Sequence, residues 1–270
     1  MEHDARYTVA FTALLCVVCS ALVSAVAVGL RERQEENRQL DRMKNVLAVS
    51  GLVEPGERQE RAEIQRRFAE GLEPRVVNLA TGAFVEDVDP LAYDQRKAAA
   101  DPDTSRPAPK NPARVRRLPE HAVIYLLRRE GRVEGIILPV EGMGLWSTLY
   151  GFLALEADAR TIRGLTFYEH GETAGLGGEV DNPRWKALWA GRLAFGDDWR
   201  PRITVEKGRA GTAEADPYGV DGLSGATLTS NGVTHLLHFW LGDHGFGPYL
   251  AAYRQGGGGQ APGSERRRDR

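Results

Sequence analysis

From Tyr7 to Leu30 the chain reads YTVAFTALLCVVCSALVSAVAVGL, without one charged residue. As a helix, roughly 24 residues at about 1.5 Å each reach about 36 Å, enough to cross a hydrocarbon core of about 30 Å. That run excludes a plain cytosolic enzyme. No later stretch is comparably long and uncharged, which excludes a polytopic transporter. Ala25-Val26-Ala27 resembles a small-residue cleavage site, but the run exceeds the apolar stretch of about 7–15 residues in a secretory signal. Arg31 then stops it sharply, so it reads as an uncleaved anchor. Arg6 alone flanks its N-side, against Arg31, Arg33, Arg38, Arg42 and Lys44 on the other. Counted alone, these charges place the C-terminal mass in the cytoplasm; long domains translocate largely regardless of charge, so orientation stays open. Cys16 and Cys19 spell C-x-x-C in mid-membrane, where free cysteine behaves as a small hydrophobe. The sharper alternative is a metal half-site completed by another protein of a complex. No other cysteine exists, so the remainder holds no disulfide and no thiolate metal site.

Over all 270 residues, 35 Lys and Arg against 37 Asp and Glu leave a charge of −2. Nucleic acid is therefore not an expected partner, because phosphate polymers demand a basic excess. Leu40, Met43 and Leu47 keep helical spacing, so the helix should continue outside the membrane until Gly51, Pro55 and Gly56 break it. Ile64, Phe68 and Leu72 predict a second amphipathic helix. Arg75–Leu79 and Ala83–Val85 predict a hairpin around Thr81-Gly82. Residues 101–119, rich in Pro and charge, predict a flexible loop. Four β-rich runs follow, at Ala122–Leu127, Val133–Val140, Tyr150–Glu156 and Ile162–Tyr168, and predict an antiparallel sheet. Asn182-Pro183 opens a helix, Ile203–Val205 reads as a strand, and Leu228–Leu241 as a helix with Val233, Leu236, Leu237 and Trp240 on one face. The expected fold is α+β: one transmembrane helix (1–33), a helical connector (34–72), a single domain with a mostly antiparallel sheet and flanking helices (73–253), and a disordered tail (254–270).

Two segments carry chemistry. The first is Asp221-Gly222-Leu223-Ser224-Gly225-Ala226-Thr227-Leu228-Thr229-Ser230, a glycine-containing loop feeding a helix. Such a helix start presents backbone N–H groups and partial positive charge to a phosphate. The same residues would also serve as an ordinary Ser/Thr N-cap. The second is His170-Gly171-Glu172-Thr173-Ala174-Gly175-Leu176-Gly177-Gly178-Glu179, whose glycines let backbone approach a flat ligand closely. It does not match the dinucleotide fingerprint G-x-G-x-x-G.

Together with AYDQRKAA (92–99), ILPVEGMGLWSTLYGF (137–152), GETAGLGGEV (171–180), DGLSGATLTSNGV (221–233) and FWLGDHGFGP (239–248), these segments resemble the NqrC family of the sodium-translocating NADH:quinone oxidoreductase. The resemblance reaches from the anchor to Tyr249. It implies an electron-carrying flavoprotein within a membrane complex, with FMN joined by a phosphoester bond to Thr227. A flavin transferase would make that bond and recognise a pattern that includes Asp221. Ser224, Gly225, Ala226 and Thr229 would surround the phosphate. Glu172, Thr173, Gly175 and Leu176 would pack on the isoalloxazine, with Trp146 and Ser147 in the same pocket and Lys207 as a nearby cation. The family has Pro where Ala174 stands, which predicts a softer loop. The resemblance also places the flavin domain in the periplasm and the N-terminus in the cytoplasm. The other proteins of the complex, the transferase and membrane lipid are the expected partners. NADH oxidation, quinone reduction and sodium transport would belong to the assembled complex.

Other features read more plainly. His235 and His238 lie at i, i+3 without an evident third metal ligand. Trp185, Trp189, Trp199 and Trp240 read as packing residues. Glu169, Glu172 and Glu179 lack a hydrolytic nucleophile beside them. Two further functions remain open from sequence: the RnfG flavoprotein of an Rnf-type ion-translocating complex, which carries the same S-G-A-T signal, and a non-redox membrane-anchored sensing or scaffold module.

Overall fold

The computed structural model describes residues 5–53, 57 and 60–256. The charge-free run and the amphipathic stretch after it form one continuous helix, α1 (Ala5–Ser50). Its part from Ala5 to Arg31 is long and apolar enough to cross a membrane. Apolar side chains there face outward, Val9, Leu14 and Val28 among them. The helix ends in a paired cap: the Leu52 N–H donates to Leu47 O and the Gly51 N–H to Ala48 O, with Gly51 in the left-handed region. Pro55 and Gly56, also expected to break the helix, lie outside the described residues.

The chain divides into two compact units, residues 1–42 and 43–270. The second holds α2 (Arg61–Gly71), β1 (Leu72–Asn78), β2 (Phe84–Val85), α3 (Gln95–Ala100), β3 (Ser105–Pro107), β4 (Arg117–Pro119), β5 (His121–Arg129), β6 (Arg132–Met143), β7 (Thr148–Glu156) and β8 (Ile162–Glu169). A 3₁₀ turn (Gly177–Asp181) follows, then α4 (Pro183–Lys186), a second 3₁₀ turn (Ala187–Trp189), β9 (Thr204–Val205), β10 (Gly219–Val220), α5 (Thr227–Leu241) and α6 (Gly247–Gln255). Six strands form one sheet in the order β2-β1-β5-β6-β7-β8, antiparallel throughout.

The sheet is buried on both faces, which is why β5 reads as a continuous apolar run (AVIYLL) without alternation. Ala122, Ile124 and Leu126 join the main core with Val233, Leu236, Leu237 and Trp240 of α5. On the opposite face Tyr125 meets Phe68 of α2 edge-on at 5.7 Å and Phe152 at 6.0 Å. The end of α1 adds buried Val46, Leu47 and Val49 to the second unit.

Several expectations hold. The hairpin forms, with Val76 opposite Val85. The four β-rich runs are β5 to β8, and Asn182 caps α4 by accepting the Arg184 N–H at 2.9 Å. That helix is shorter than expected, because α4 gives way to a 3₁₀ turn at Ala187. The strand at 204–205 exists, paired parallel with β10, a partner that no sequence pattern announces.

Residues 101–119 are not an unstructured loop. β3 and β4 pair antiparallel, Ser105 opposite Pro119, and Ala113 and Leu118 are fully buried. The order comes from side chains bonding backbone: Asn111 accepts the Val115 N–H at 3.1 Å and donates to Val115 O at 2.9 Å, while Arg117 donates to Ser105 O at 2.8 Å. Composition does not register such bonds. The tail expected from residue 254 also starts too early. Arg254 and Gln255 complete α6, whose Tyr249, Leu250 and Tyr253 are buried; residues 257–270 lie outside the described residues. The connector is likewise not purely helical to residue 72, since Leu72 opens β1 opposite Leu127.

Candidate functional site

The two chemistry-bearing segments meet beside the loop joining β6 to β7. The first makes a tight turn, with the Ala226 N–H donating to Leu223 O at 3.0 Å and Gly225 in the left-handed region. The buried Ser230 hydroxyl accepts the Leu223 N–H at 3.0 Å and ties this turn to α5. Thr227 is the first residue of α5. The N-cap is Ala226, which has no side-chain acceptor to offer. The first helical amides lack intrahelical partners by geometry, so the first turn of α5 stays open to an external anion. The Ser/Thr N-cap reading is thereby excluded.

Thr227 and Ser224 are exposed. They border a cleft of about 560 Å³ whose other walls include Lys207, Arg209 and Asn231. Lys207 and Arg209 are exposed, and neither forms a salt bridge among the described residues. Arg209 is not among the residues the sequence points to. Its one signal is its place two residues from Lys207 on a glycine-containing loop.

The second segment is wired differently. The Leu176 N–H donates to Thr173 O at 3.1 Å, and Gly175 at φ +76° supplies the position where this turn requires positive φ. Ala174 occupies the preceding corner, where Pro is favoured. The Leu176 side chain rests over Gly225, its Cδ2 2.9 Å from where a Cβ would stand there. A Cβ at Gly177 would lie 2.6 Å from both Glu172 Oε2 and Thr229 Oγ1, so only glycine fits.

Glu172 is nearly buried. Its Oε1 accepts the N–H groups of Trp146 at 2.9 Å and Ser147 at 3.2 Å. Its Oε2 accepts the Leu145 N–H at 3.2 Å and the Thr229 hydroxyl at 2.6 Å. Burial by itself pushes this carboxyl up; the Thr229 hydroxyl and the three amides together outweigh it and hold the group below the usual carboxylate range. One carboxylate thus joins three segments: the β6–β7 loop, the glycine loop and α5. Ser147 adds a fourth link, its hydroxyl accepting the Gly171 N–H at 2.5 Å.

The expected residues therefore separate. Thr227, Ser224, Gly225 and Lys207 line one cleft, with Leu176 over Gly225 and Trp146, 68% exposed, on the loop that Glu172 anchors, while Ala226 is buried beneath the turn and does not line the cleft. Thr173 contributes its carbonyl to the turn. Thr229, expected at the phosphate, is fully buried and its hydroxyl donates to Glu172, while the carboxylate of Glu172, expected against the ring, is taken up by that hydroxyl and three backbone amides. The Asp221 carboxylate is also engaged, accepting the Ala210 N–H at 2.8 Å.

The plainer features resolve as well. His238 Nε2 bonds Ile203 O at 2.8 Å, and burial lowers its affinity for a proton. The indole N–H of Trp185 donates to Asp221 O, and that of Trp240 to Glu141 O. Glu169 pairs in two-pronged fashion with Arg96, at 2.7 and 3.0 Å.

The residues fit a flavin mononucleotide. An uncapped helix start and two exposed cations suit its phosphate, beside Glu206 and an Asp221 whose Oδ1 is engaged by the Ala210 N–H; a free hydroxyl sits at the helix start, and exposed Leu176 and Trp146 offer apolar surface to a ring. Comparison with known proteins agrees. Residues 144–242 match the FMN-binding domain family, a range that brackets every loop of this site. The chain is 46% identical to the NqrC component of the Na(+)-translocating NADH-quinone reductase of Yersinia pestis, over 92% of this chain and 93% of that protein. The same component from Pseudomonas aeruginosa is also 46% identical, over 94% of this chain and 98% of its own length. The fold is similar to the crystal structure of Shewanella oneidensis NqrC, with TM-score 0.75 and 34% identity, covering 82% of this chain and 99% of that one.

Proposed function

The chain belongs to the NqrC family of the Na(+)-translocating NADH-quinone reductase, and from that premise we propose that it is the membrane-anchored electron carrier of such a complex, holding FMN through a phosphoester bond to Thr227. The observation that carries this reading is the exposed Thr227 hydroxyl at the uncapped start of α5, beside Lys207 and Arg209.

FMN, when bound, supplies one-electron redox chemistry that protein side chains lack. The chain's own residues do the rest. The first amides of α5 and the two cations balance the phosphate charge. Thr227 Oγ1 would form the bond to phosphorus as the phosphoanhydride bond of a flavin dinucleotide donor breaks, its proton leaving with the departing nucleoside monophosphate. Glu172 holds the β6–β7 loop, the glycine loop and α5 in one register, so Trp146 and Leu176 keep fixed positions beside the phosphate site. A tether of this kind removes dissociation as a route of cofactor loss.

The anchor and the resemblance support a single-pass protein of the bacterial inner membrane, with its N-terminus in the cytoplasm and its flavin domain in the periplasm. A flavin transferase would act there, and the other proteins of the complex would exchange electrons with it. Co-expression with a flavin transferase followed by a denaturing gel tests the attachment: the wild-type band should fluoresce and the Thr227→Ala band should be dark. A dark wild-type band, or a fluorescent Thr227→Ala band, would overturn it. Protease added outside spheroplasts should digest the domain; full protection would refute the periplasmic placement.

A further inference from the structure

Asp221 stands six residues before Thr227 and lines the same cleft, and its carboxylate accepts a backbone amide from loop 206–210. That loop begins where β9 ends, and Asp221 follows β10 directly. The two parallel strands pair Val205 with Val220, and the Glu206 N–H donates to Val220 O at 2.8 Å. At the loop's far side the buried Arg192 guanidinium pins the next segment, donating to Gly211 O at 2.9 Å and Asp216 O at 2.6 Å. Between these fixed ends, two bonds hold the loop against the S-G-A-T segment. The Gly222 N–H donates to Gly208 O at 2.7 Å, and the Ala210 N–H donates to Asp221 Oδ1 at 2.8 Å. Lys207 and Arg209 alternate with the two bonded residues, so closing the loop places both cations on the Thr227 cleft.

From this geometry we infer that Asp221 is a positioning residue, a latch that closes loop 206–210 and so presents Lys207 and Arg209 to the phosphate at Thr227. It serves flavin attachment through the loop and not as a charge read directly by the transferase. The inference rests on the Thr227 reading for its consequence, though the latch itself does not. A carboxylate near a phosphate would repel it; one turned onto a backbone amide, holding cations forward, reverses that effect.

The acceptor matters here, not the negative charge, and this makes the role testable. Asparagine keeps an oxygen for the Ala210 N–H, whereas alanine does not. Full-length protein in detergent, without flavin, would be followed by hydrogen exchange at Ala210 and Gly222 and by mass mapping of tryptic cuts after Lys207 and Arg209. In Asp221→Ala both amides should lose protection and both cuts should accelerate on the order of tenfold, the equilibrium weight of one lost hydrogen bond. Asp221→Asn should stay near wild type. Flavin attachment by purified transferase should follow the same order, falling in Asp221→Ala and persisting in Asp221→Asn. Lys207→Gln/Arg209→Gln should attach flavin poorly while its loop stays closed.

A closed loop in Asp221→Ala would overturn the latch. So would Asp221→Asn with a protected loop but no flavin, since the charge would then be read directly. Should Asp221→Ala lose protection throughout the domain, the Asp221→Asn result decides alone. Flavin on Thr227→Ala would refute the attachment site and leave the exchange result standing.

Discussion

Two sides of the same small site are built on opposite principles. On the Glu172 side every polar atom is spoken for: three backbone amides and one hydroxyl converge on a single carboxylate, glycine is enforced at 177 by contact, and Thr229 is sealed from solvent. On the Thr227 side little is satisfied. The helix start has no side-chain cap, the hydroxyl is exposed, and two cations that form no salt bridge among the described residues line a cleft with Glu206 and Asp221 also on its wall. Saturated polar groups stabilise a fold because an unmet donor or acceptor in the interior costs more than a made bond returns. Groups left open at a surface are available for a ligand. The site therefore divides into a frame and a receptor, although both halves are written in the same residue types: Thr, Ser, Gly and one acidic group.

Substitutions should separate these halves. Glu172→Ala strands three amides and a hydroxyl, and should cost about 3 kcal/mol in denaturant unfolding; a loss under about 0.5 kcal/mol would show that the carboxylate is no frame. Thr229→Val keeps the shape and removes one donor, and should cost about 1 kcal/mol by the same measurement. Ala174→Pro restores the favoured corner residue of the 173–176 turn and should raise stability by about 0.5 kcal/mol through a less flexible unfolded chain; destabilisation would mean that the Ala174 amide is needed. Thr227→Ala should shift unfolding by less than about 0.5 kcal/mol, even though it should abolish flavin attachment. A large stability loss there would collapse the distinction between the two sides.

Acid offers another test. The folded Glu172 carboxyl is held below its ordinary value near 4.5. Its contribution is present above that value and is lost as pH falls through the lower folded value, because the unfolded chain takes up the proton first. Glu172→Gln should flatten the loss of stability below the ordinary glutamate range. An unchanged acid limb would mean that the amides do not hold the charge.

Much of the fold is legible in the sequence because it rests on patterns. The charge-free run, the 3.6-residue spacing of Val233, Leu236, Leu237 and Trp240, and the apolar density of β5 to β8 each reflect burial that a one-dimensional pattern records. The hairpin within 101–119 is not legible, because Asn111 and Arg117 order it by bonding backbone, with little apolar surface. Nor is α6, because glycines bracket it and its buried face is only Tyr249, Leu250 and Tyr253. The S-G-A-T turn is legible as a glycine turn that opens a helix at Thr227. The roles of Glu172 and Thr229 are not, because 57 residues separate two atoms that share one hydrogen bond.

By itself the sequence determined that one helix near the N-terminus is long and apolar enough to cross a membrane, that an antiparallel sheet follows, and that a helix begins behind a glycine turn at Thr227. These are local properties of charge, periodicity and backbone freedom. The tertiary structure alone decided which polar residues are frame and which are receptor. Whether a Thr, an Asp or a Glu is free to bind depends on donors and acceptors that approach from distant segments. For Glu172 those donors come from a loop 25 to 27 residues earlier and a helix 57 residues later.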